Sequence, residues 1–206
     1  MKCPASVQKL SYVLCSWIFP LLKRWSPPGI KKLVWEREFE QGKWLHPDHM
    51  KRPLICEWIE KYCGGGVLLD LGCSDGIIGL TVEEGCYKSY TGVDISDIAI
   101  EKATIECKRY FPRRMEKNQF VTRDIAKYIP SVKADVVLFR ESLYYFNHVQ
   151  ARKILAKYRQ FLVEDGVFIV VMGDIKRHQW IVDHIEAHYR IIEKSLLGDT
   201  IILIFN

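Results

Sequence analysis

The chain has no Cys-x-x-Cys pair, and its seven cysteines are an odd number at irregular spacing. That argues against a disulfide framework or a cysteine zinc site and points to a reducing compartment. No apolar run reaches the roughly twenty residues that a membrane-spanning helix needs. The longest, residues 10–22, is thirteen residues and contains Pro20. Internal repeats and low-complexity tracts are absent, which excludes a solenoid. Acidic residues are missing from residues 1–35, which carry Lys2, Lys9, Lys23, Arg24, Lys31 and Lys32. The remainder has 24 basic and 25 acidic residues, so the net charge of +5 belongs to the head. A nearly neutral body argues against a nucleic-acid partner, which calls for a basic face on the domain. Lys108-Arg109 and Arg113-Arg114 form a local basic patch, read as a solvated helix end. What remains is ordinary for one globular domain with an appendage: 206 residues, 49% apolar and 27% charged.

Apolar periodicity alternates between helix and strand from residue 48 onward. Helices are expected at 48–62 (capped by Asp48), 76–84, 96–110 (capped by Ser96), 147–162 and 176–187. Strands are expected at 66–71, 89–94, 118–123, 134–139 and 167–172, with Glu164-Asp165-Gly166 as a turn. Two further strands, 189–196 and 200–205, are joined by three residues, so they must be antiparallel neighbours. The pattern predicts an α/β fold with a mostly parallel seven-stranded sheet, helices on both faces and a reversed terminal hairpin.

The most informative stretch is Val67-Leu68-Leu69-Asp70-Leu71-Gly72-Cys73-Ser74-Asp75-Gly76. A buried strand ends at an acid, breaks into a glycine turn and leads into a helix, as nucleotide-type ligands require. A dinucleotide loop needs a second glycine for backbone approach to a pyrophosphate; here that position is Ser74. Asp70 and Asp75 would repel phosphate but suit a cation. S-adenosylmethionine has no phosphate and carries a sulfonium and an ammonium. Cys73 reads as buried filler.

The run from Asp70 to Gly76 resembles the first motif of the Rossmann-like, class I S-adenosylmethionine-dependent methyltransferases. Tyr90–Ser96, Phe120–Ile125 and Ala134–Tyr145 match the family's next three motifs in order, and the resemblance covers about residues 48–206. It implies that Asp94 takes the ribose hydroxyls, a task that suits a carboxylate acceptor, and that Asp124 meets the adenine amino group. With them, Gly72, Ser74, Gly76, Ile95, Ile125, Arg140 and Asp70 are the expected cofactor-binding set. The DNA adenine and glutamine methyltransferases carry an Asn/Asp-Pro-Pro-Tyr/Phe tetrad after the fourth strand. This chain has Arg140-Glu141-Ser142-Leu143 there. Glu141–Tyr145 resembles the small-molecule and glycan-linked groups instead, and Trp35–Trp44 is similar in layout to the rhizobial chitooligosaccharide N-methyltransferases.

Methyl transfer needs an aligned nucleophile and a route for its proton, and this logic requires no metal. The base candidates are His148 after the fourth-strand loop, Glu141 in that loop and His178 after the fifth strand. Glu141 reads equally as a base, an ammonium clamp or a structural partner of Arg140. His46-x-x-His49 with Asp48 lacks a third ligand, so no metal site is expected. Residues 1–30 read as a basic apolar segment that contacts a membrane peripherally, with Trp17, Phe19 and Trp25 at headgroup level, or that packs on the domain. No small-x-small site marks a secretory signal, and the expected location is cytoplasmic, at the inner face of a membrane if the head binds lipid. Residues 31–206 are the expected methyltransferase domain, with residues 31–47 as its lid. The acceptor expected from these features is a small molecule or glycan, methylated at oxygen or nitrogen and lipid-linked if the head serves that purpose. The competing readings are a nucleic-acid or protein methyltransferase, a nicotinamide-dependent oxidoreductase and a non-catalytic cofactor-binding subunit.

Overall fold

Runs such as Val136–Phe139 and Val167–Met172 are apolar at every position, so they can be buried on both faces, and they form the middle of a sheet. The structure, a computed structural model, describes residues 21–42 and 52–206. Its strands are β1 (Gly66–Leu71), β2 (Tyr87–Asp94), β3 (Asn118–Thr122), β4 (Ala134–Arg140), β5 (Leu162–Met172), β6 (Ile191–Leu197) and β7 (Thr200–Phe205). They lie in the order β3-β2-β1-β4-β5-β7-β6. β7 pairs antiparallel with both β5 and β6, and the other pairs are parallel. This is the expected Rossmann-like sheet with its antiparallel terminal hairpin. Strand order reverses between β1 and β4, and a ligand crevice belongs outside the carboxyl ends of strands at such a point.

The described helices are α1 (Pro28–Glu40), α2 (Cys56–Cys63), α3 (Ile77–Thr81), α4 (Asp97–Tyr110), α5 (His148–Arg159) and α6 (Ile175–His188). Leu68, Val136 and Leu138 pack with Ile59 of α2 and Ile78 of α3 on one face of the sheet. Leu69, Val137 and Phe139 pack with Leu155 of α5 and Ile181 of α6 on the other. Neighbouring strand residues thus feed two cores, the result expected of period-two side chains on a covered sheet. Two caps fix helix starts: Ser96 accepts from the Ala99 N–H, and Asn147 and Gln150 form a reciprocal capping box.

Several boundaries differ from the sequence expectation, four of them for a reason visible in the structure. The helix expected from residue 48 begins at Cys56, because Pro53 disfavours helical backbone at Arg52; Asp48 lies outside the described residues. α3 stops at Thr81, where the carbonyls of Gly79 and Val82 accept from the buried Arg114 guanidinium at 3.1 and 2.7 Å. Arg114 therefore leaves the surface basic patch. β5 starts at Leu162, since Glu164-Asp165-Gly166 is a bulge within the strand: the register steps from Ala134↔Leu162 to Val136↔Val167. The lid helix starts at Pro28, whose missing N–H costs nothing at a first helical position. Ser26 and Pro27 separate it from a helical stretch at residues 21–25.

Among the described residues no helix is long and apolar enough to cross a membrane, and no cluster of His, Cys, Asp or Glu has the makings of a metal site. His46, His49, Trp17 and Phe19 lie outside the described residues.

Candidate active site

The loops leaving β1, β2, β3 and β4 converge on a cavity of about 250 Å³. Gly72, Ser74 and Asp75 line it from the first loop, Asp94 and Ile95 from the second, and Asp124 and Ile125 from the third. Arg140, Glu141, Ser142, Tyr145 and Phe146 line it from the fourth. α1 roofs it with Lys31, Trp35 and Phe39, a stripe at four-residue spacing, and Lys23 reaches it from the stretch before α1.

Backbone strain concentrates around this edge. Ser74, Glu141 and Asp174, at the exits of β1, β4 and β5, have φ of 53°, 53° and 48°. Left-handed non-glycine residues are uncommon and gather at functional loops. Gly72 has φ 89°, and a Cβ there would lie 2.4 Å from Cβ of Ser142. The first and fourth loops are thus in van der Waals contact, and Ser142 Oγ donates to the Leu71 carbonyl at 2.6 Å to hold them so.

Asp94 is set as a rigid acceptor. One carboxylate oxygen accepts from the Ser74 N–H and the other from the Ser96 N–H, both at 3.0 Å. Burial pushes its pKa up, while the amides of Ser96, Ser74 and Ile95 pull it back. Asp124 is oriented similarly by the Ala126 N–H at 2.9 Å. Asp75 is held by Lys102 at 3.1 Å. Glu141 accepts from Tyr144 at 2.8 Å and from the Gly173 N–H at 2.9 Å, which bridges the fourth loop to the fifth. No hydrogen bond joins it to Arg140, the structural partner in one of its three readings.

Asp70 and Gly76 lie beside the cavity rather than in its lining. Gly76, at φ 78°, starts α3 against Phe120 and Ala103. Asp70 is buried; one oxygen accepts from Tyr90 at 2.9 Å, and the other has no hydrogen-bond partner among the described residues. Burial pushes its pKa up to about 7, against the Tyr90 hydrogen bond and the Arg140 charge, which lower it. The folded state therefore keeps a proton that the unfolded chain, with an aspartate pKa of about 3.9, loses in mildly acid solution. Stability from this group is present below about pH 4 and falls as pH rises to about 7. Asp70→Asn is expected to raise the melting temperature by roughly 3–6 °C at pH 8 and by less at pH 5, read by scanning calorimetry. An equal shift at both pH values would contradict this.

Neither His148 nor His178 lines the cavity. His148 opens α5 and stacks on Trp180 of α6, with centroids 3.9 Å apart at 6°. His178 is buried with its ring on Tyr144, 4.3 Å away at 10°. Partial desolvation lowers both pKa values, with Arg24 and Arg152 adding to the effect at His148 and Arg177 at His178. Position at the carboxyl edge suggested both as bases, but their rings are taken up in α6 stacking. Of the three expected, only Glu141 meets the cavity. Two residues not singled out from sequence are Lys23, read with the lipid-facing head, and Lys31 of the expected lid; both are buried against the cavity. Ser142 was also missed. Cys73 is buried as expected, with burial pushing its thiol up.

The donor set fits the expected cofactor. A fixed, half-buried carboxylate at the tip of β2, flanking Ile95 and Ile125, and a glycine cradle with no room for a Cβ suit a nucleoside with two ribose hydroxyls. The acids Asp75, Asp94 and Asp124 suit a cationic ligand better than a pyrophosphate.

Residues 69–168 match a family model described as a methyltransferase domain. A search of curated proteins gives no match. Among solved structures, the N-methyltransferase NodS from Bradyrhizobium japonicum, in complex with S-adenosylhomocysteine, aligns with a TM-score of 0.62 at 16% identity over 82% of this chain and 97% of that one. A TehB-like S-adenosylmethionine-dependent methyltransferase from Corynebacterium glutamicum aligns at 0.63 and 16%, over 84% and 98% of the two chains. The glycopeptide N-methyltransferase MtfA, complexed with sinefungin, aligns at 0.63 and 10%, over 73% and 83%.

Proposed function

We propose that the chain, whose residues 69–168 match a family model described as a methyltransferase domain and whose fold is shared with S-adenosylmethionine-dependent methyltransferases, methylates oxygen or nitrogen of a small-molecule or glycan-type acceptor. The observation that carries this reading is the roof. Trp35 and Phe39 of α1 close over a cavity of about 250 Å³ that admits a small group, not a folded domain or a duplex. One structural neighbour, MtfA, is named as a glycopeptide N-methyltransferase, which runs in the same direction.

Bound S-adenosylmethionine supplies an electrophilic methyl group on sulfur. Asp94 would hold its ribose and Asp124 its adenine amino group, with Ile95 and Ile125 flanking the base. Gly72 and Ser74 would pass their backbone along it, and Arg140 would meet its carboxylate. The acids of the loops favour a cationic ligand. Trp35, Tyr145 and Phe146 line the cavity and would exclude water from it around a bound ligand, which would strengthen each of these contacts. Glu141, fixed by Tyr144 and Gly173, would orient the acceptor.

Peripheral membrane contact through the head belongs to the same proposal. Leu21, Trp25, Ile30 and Leu33 are exposed on the outer side of the roof, Leu33 at 67% and Trp25 at 65%. Lys23 and Lys31 face inward, so attraction to anionic lipid would rest on the remaining basic residues.

The test is incubation with methyl-labelled cofactor and a panel of amino sugars, hydroxylated glycans and their lipid-linked forms. Label in one of these classes is expected. Label found only in nucleic acid or in a protein substrate would overturn the assignment.

A further inference from the structure

Lys31 is buried in the roof without an acceptor for its protons. It is 8% exposed and lines the cavity from α1 with Trp35 and Phe39. Its ammonium lies 4.8 Å from the centroid of the Phe146 ring, and among the described residues it makes no hydrogen bond and no ion pair. Most other charged side chains of the lining have partners. Lys23 pairs with Glu38, Asp75 with Lys102, and Glu141 with Tyr144 and the Gly173 N–H. Asp94 accepts from the Ser74 and Ser96 amides, and Asp124 from that of Ala126. Arg140 is the other cation without one, and in the proposed arrangement it meets the cofactor carboxylate. Burial lowers the Lys31 pKa, and the charge of Asp124 opposes the fall. Asp124 is therefore near enough to be felt, though too far for an ion pair.

We propose that Lys31 binds the cofactor, donating to a ring nitrogen of the adenine beside the amino group from which Asp124 accepts. This rests on the methyltransferase reading and adds to it a contact from α1, which lies outside residues 69–168. The edge of adenine sets a donor, the exocyclic amino group, between two acceptors, the ring nitrogens N1 and N7. An acid and a lysine that line one cavity match that edge as a pair, one accepting and one donating, as a single amide side chain does at N6 and N7. A ring nitrogen carries no charge, so Asp124 does not repel it as it would a phosphate or carboxylate. The contact also accounts for a lysine in the roof. An unpaired ammonium is costly to bury, and an apolar side chain of that length would close the roof without the cost. The face of Phe146 offsets part of it, and a bound base would supply the missing acceptor.

The test is calorimetric titration of the full chain with S-adenosylhomocysteine and with its 1-deaza and 7-deaza analogues, in each of which one ring nitrogen is replaced by C–H. The parent chain is expected to bind one of the two analogues roughly tenfold more weakly than S-adenosylhomocysteine. In Lys31→Met, S-adenosylhomocysteine should itself bind roughly tenfold more weakly, and the penalty for that analogue should vanish. Without ligand, Lys31→Met should melt no lower than the parent, because it exchanges an unpaired buried charge for an apolar side chain of similar length. A penalty of the same size in parent and variant, or no penalty for either analogue in the parent, would overturn the contact. So would a ligand-free Lys31→Met chain that melts well below the parent, since Lys31 would then be a structural part of the roof. If the parent chain does not bind S-adenosylhomocysteine at all, the failure lies in the methyltransferase reading, and the contact falls with it.

Discussion

Gly72→Ala is expected to destabilise the fold by about 2–5 kcal/mol and to abolish cofactor binding. Two costs add. The backbone at φ 89° is one that a residue with a Cβ resists, and the new methyl would stand 2.4 Å from Cβ of Ser142. Ser142 cannot move aside cheaply, since its hydroxyl is tied to the Leu71 carbonyl at 2.6 Å. Relief therefore comes from parting the β1 and β4 loops, which opens the cavity wall formed by Gly72, Arg140 and Glu141. For a chain of this size the melting temperature should fall by roughly 5–15 °C. Scanning calorimetry with and without S-adenosylhomocysteine checks both halves: the ligand should raise the parent melting temperature and leave the variant unmoved. A variant that melts with the parent and is stabilised equally would show that the loops are not in contact.

Asp94→Ala is expected to weaken S-adenosylhomocysteine binding by about 1.5–3 kcal/mol, roughly ten- to 150-fold, while the chain stays folded. The carboxylate is the acceptor proposed for the ribose hydroxyls. It also holds Ser74, whose backbone is itself left-handed, through the Ser74 N–H at 3.0 Å. Asp94→Asn is a useful companion. It keeps one acceptor oxygen and should fall between the two, because an amide replaces one of the two acceptors with a donor. Calorimetric titration measures all three. An unchanged dissociation constant for the alanine variant would remove Asp94 from the ribose.

The path from sequence to this site was short for some residues and closed for others. Gly72, Ser74, Asp94, Asp124 and Arg140 each stand within a few residues of a strand end, where a parallel sheet forces the chain to turn. Residue type and strand order alone therefore place them at one edge. The roof stripe Lys31, Trp35 and Phe39 also follows from helical spacing within the expected lid. Lys23 was not legible. Its ammonium meets Trp35 and Glu38 only because the chain reverses at Ser26-Pro27, and a local pattern gives a lysine no reason to be buried. The histidines failed for a different reason. Position told which end of the sheet His148 and His178 occupy, but side-chain direction was decided by partners, Trp180 and Tyr144, that only packing brings near. At Glu164-Asp165-Gly166, turn-forming residues met a strand that continues through them. A bulge absorbs the three extra residues, and Gly166 fits where a Cβ would come within 2.9 Å of the Ala134 carbonyl.

Calorimetric titration of the purified chain with S-adenosylhomocysteine, run beside NADH, tests the central claim most directly. The account predicts micromolar binding of the former and none of the latter. Binding of NADH alone, or of neither, would contradict it.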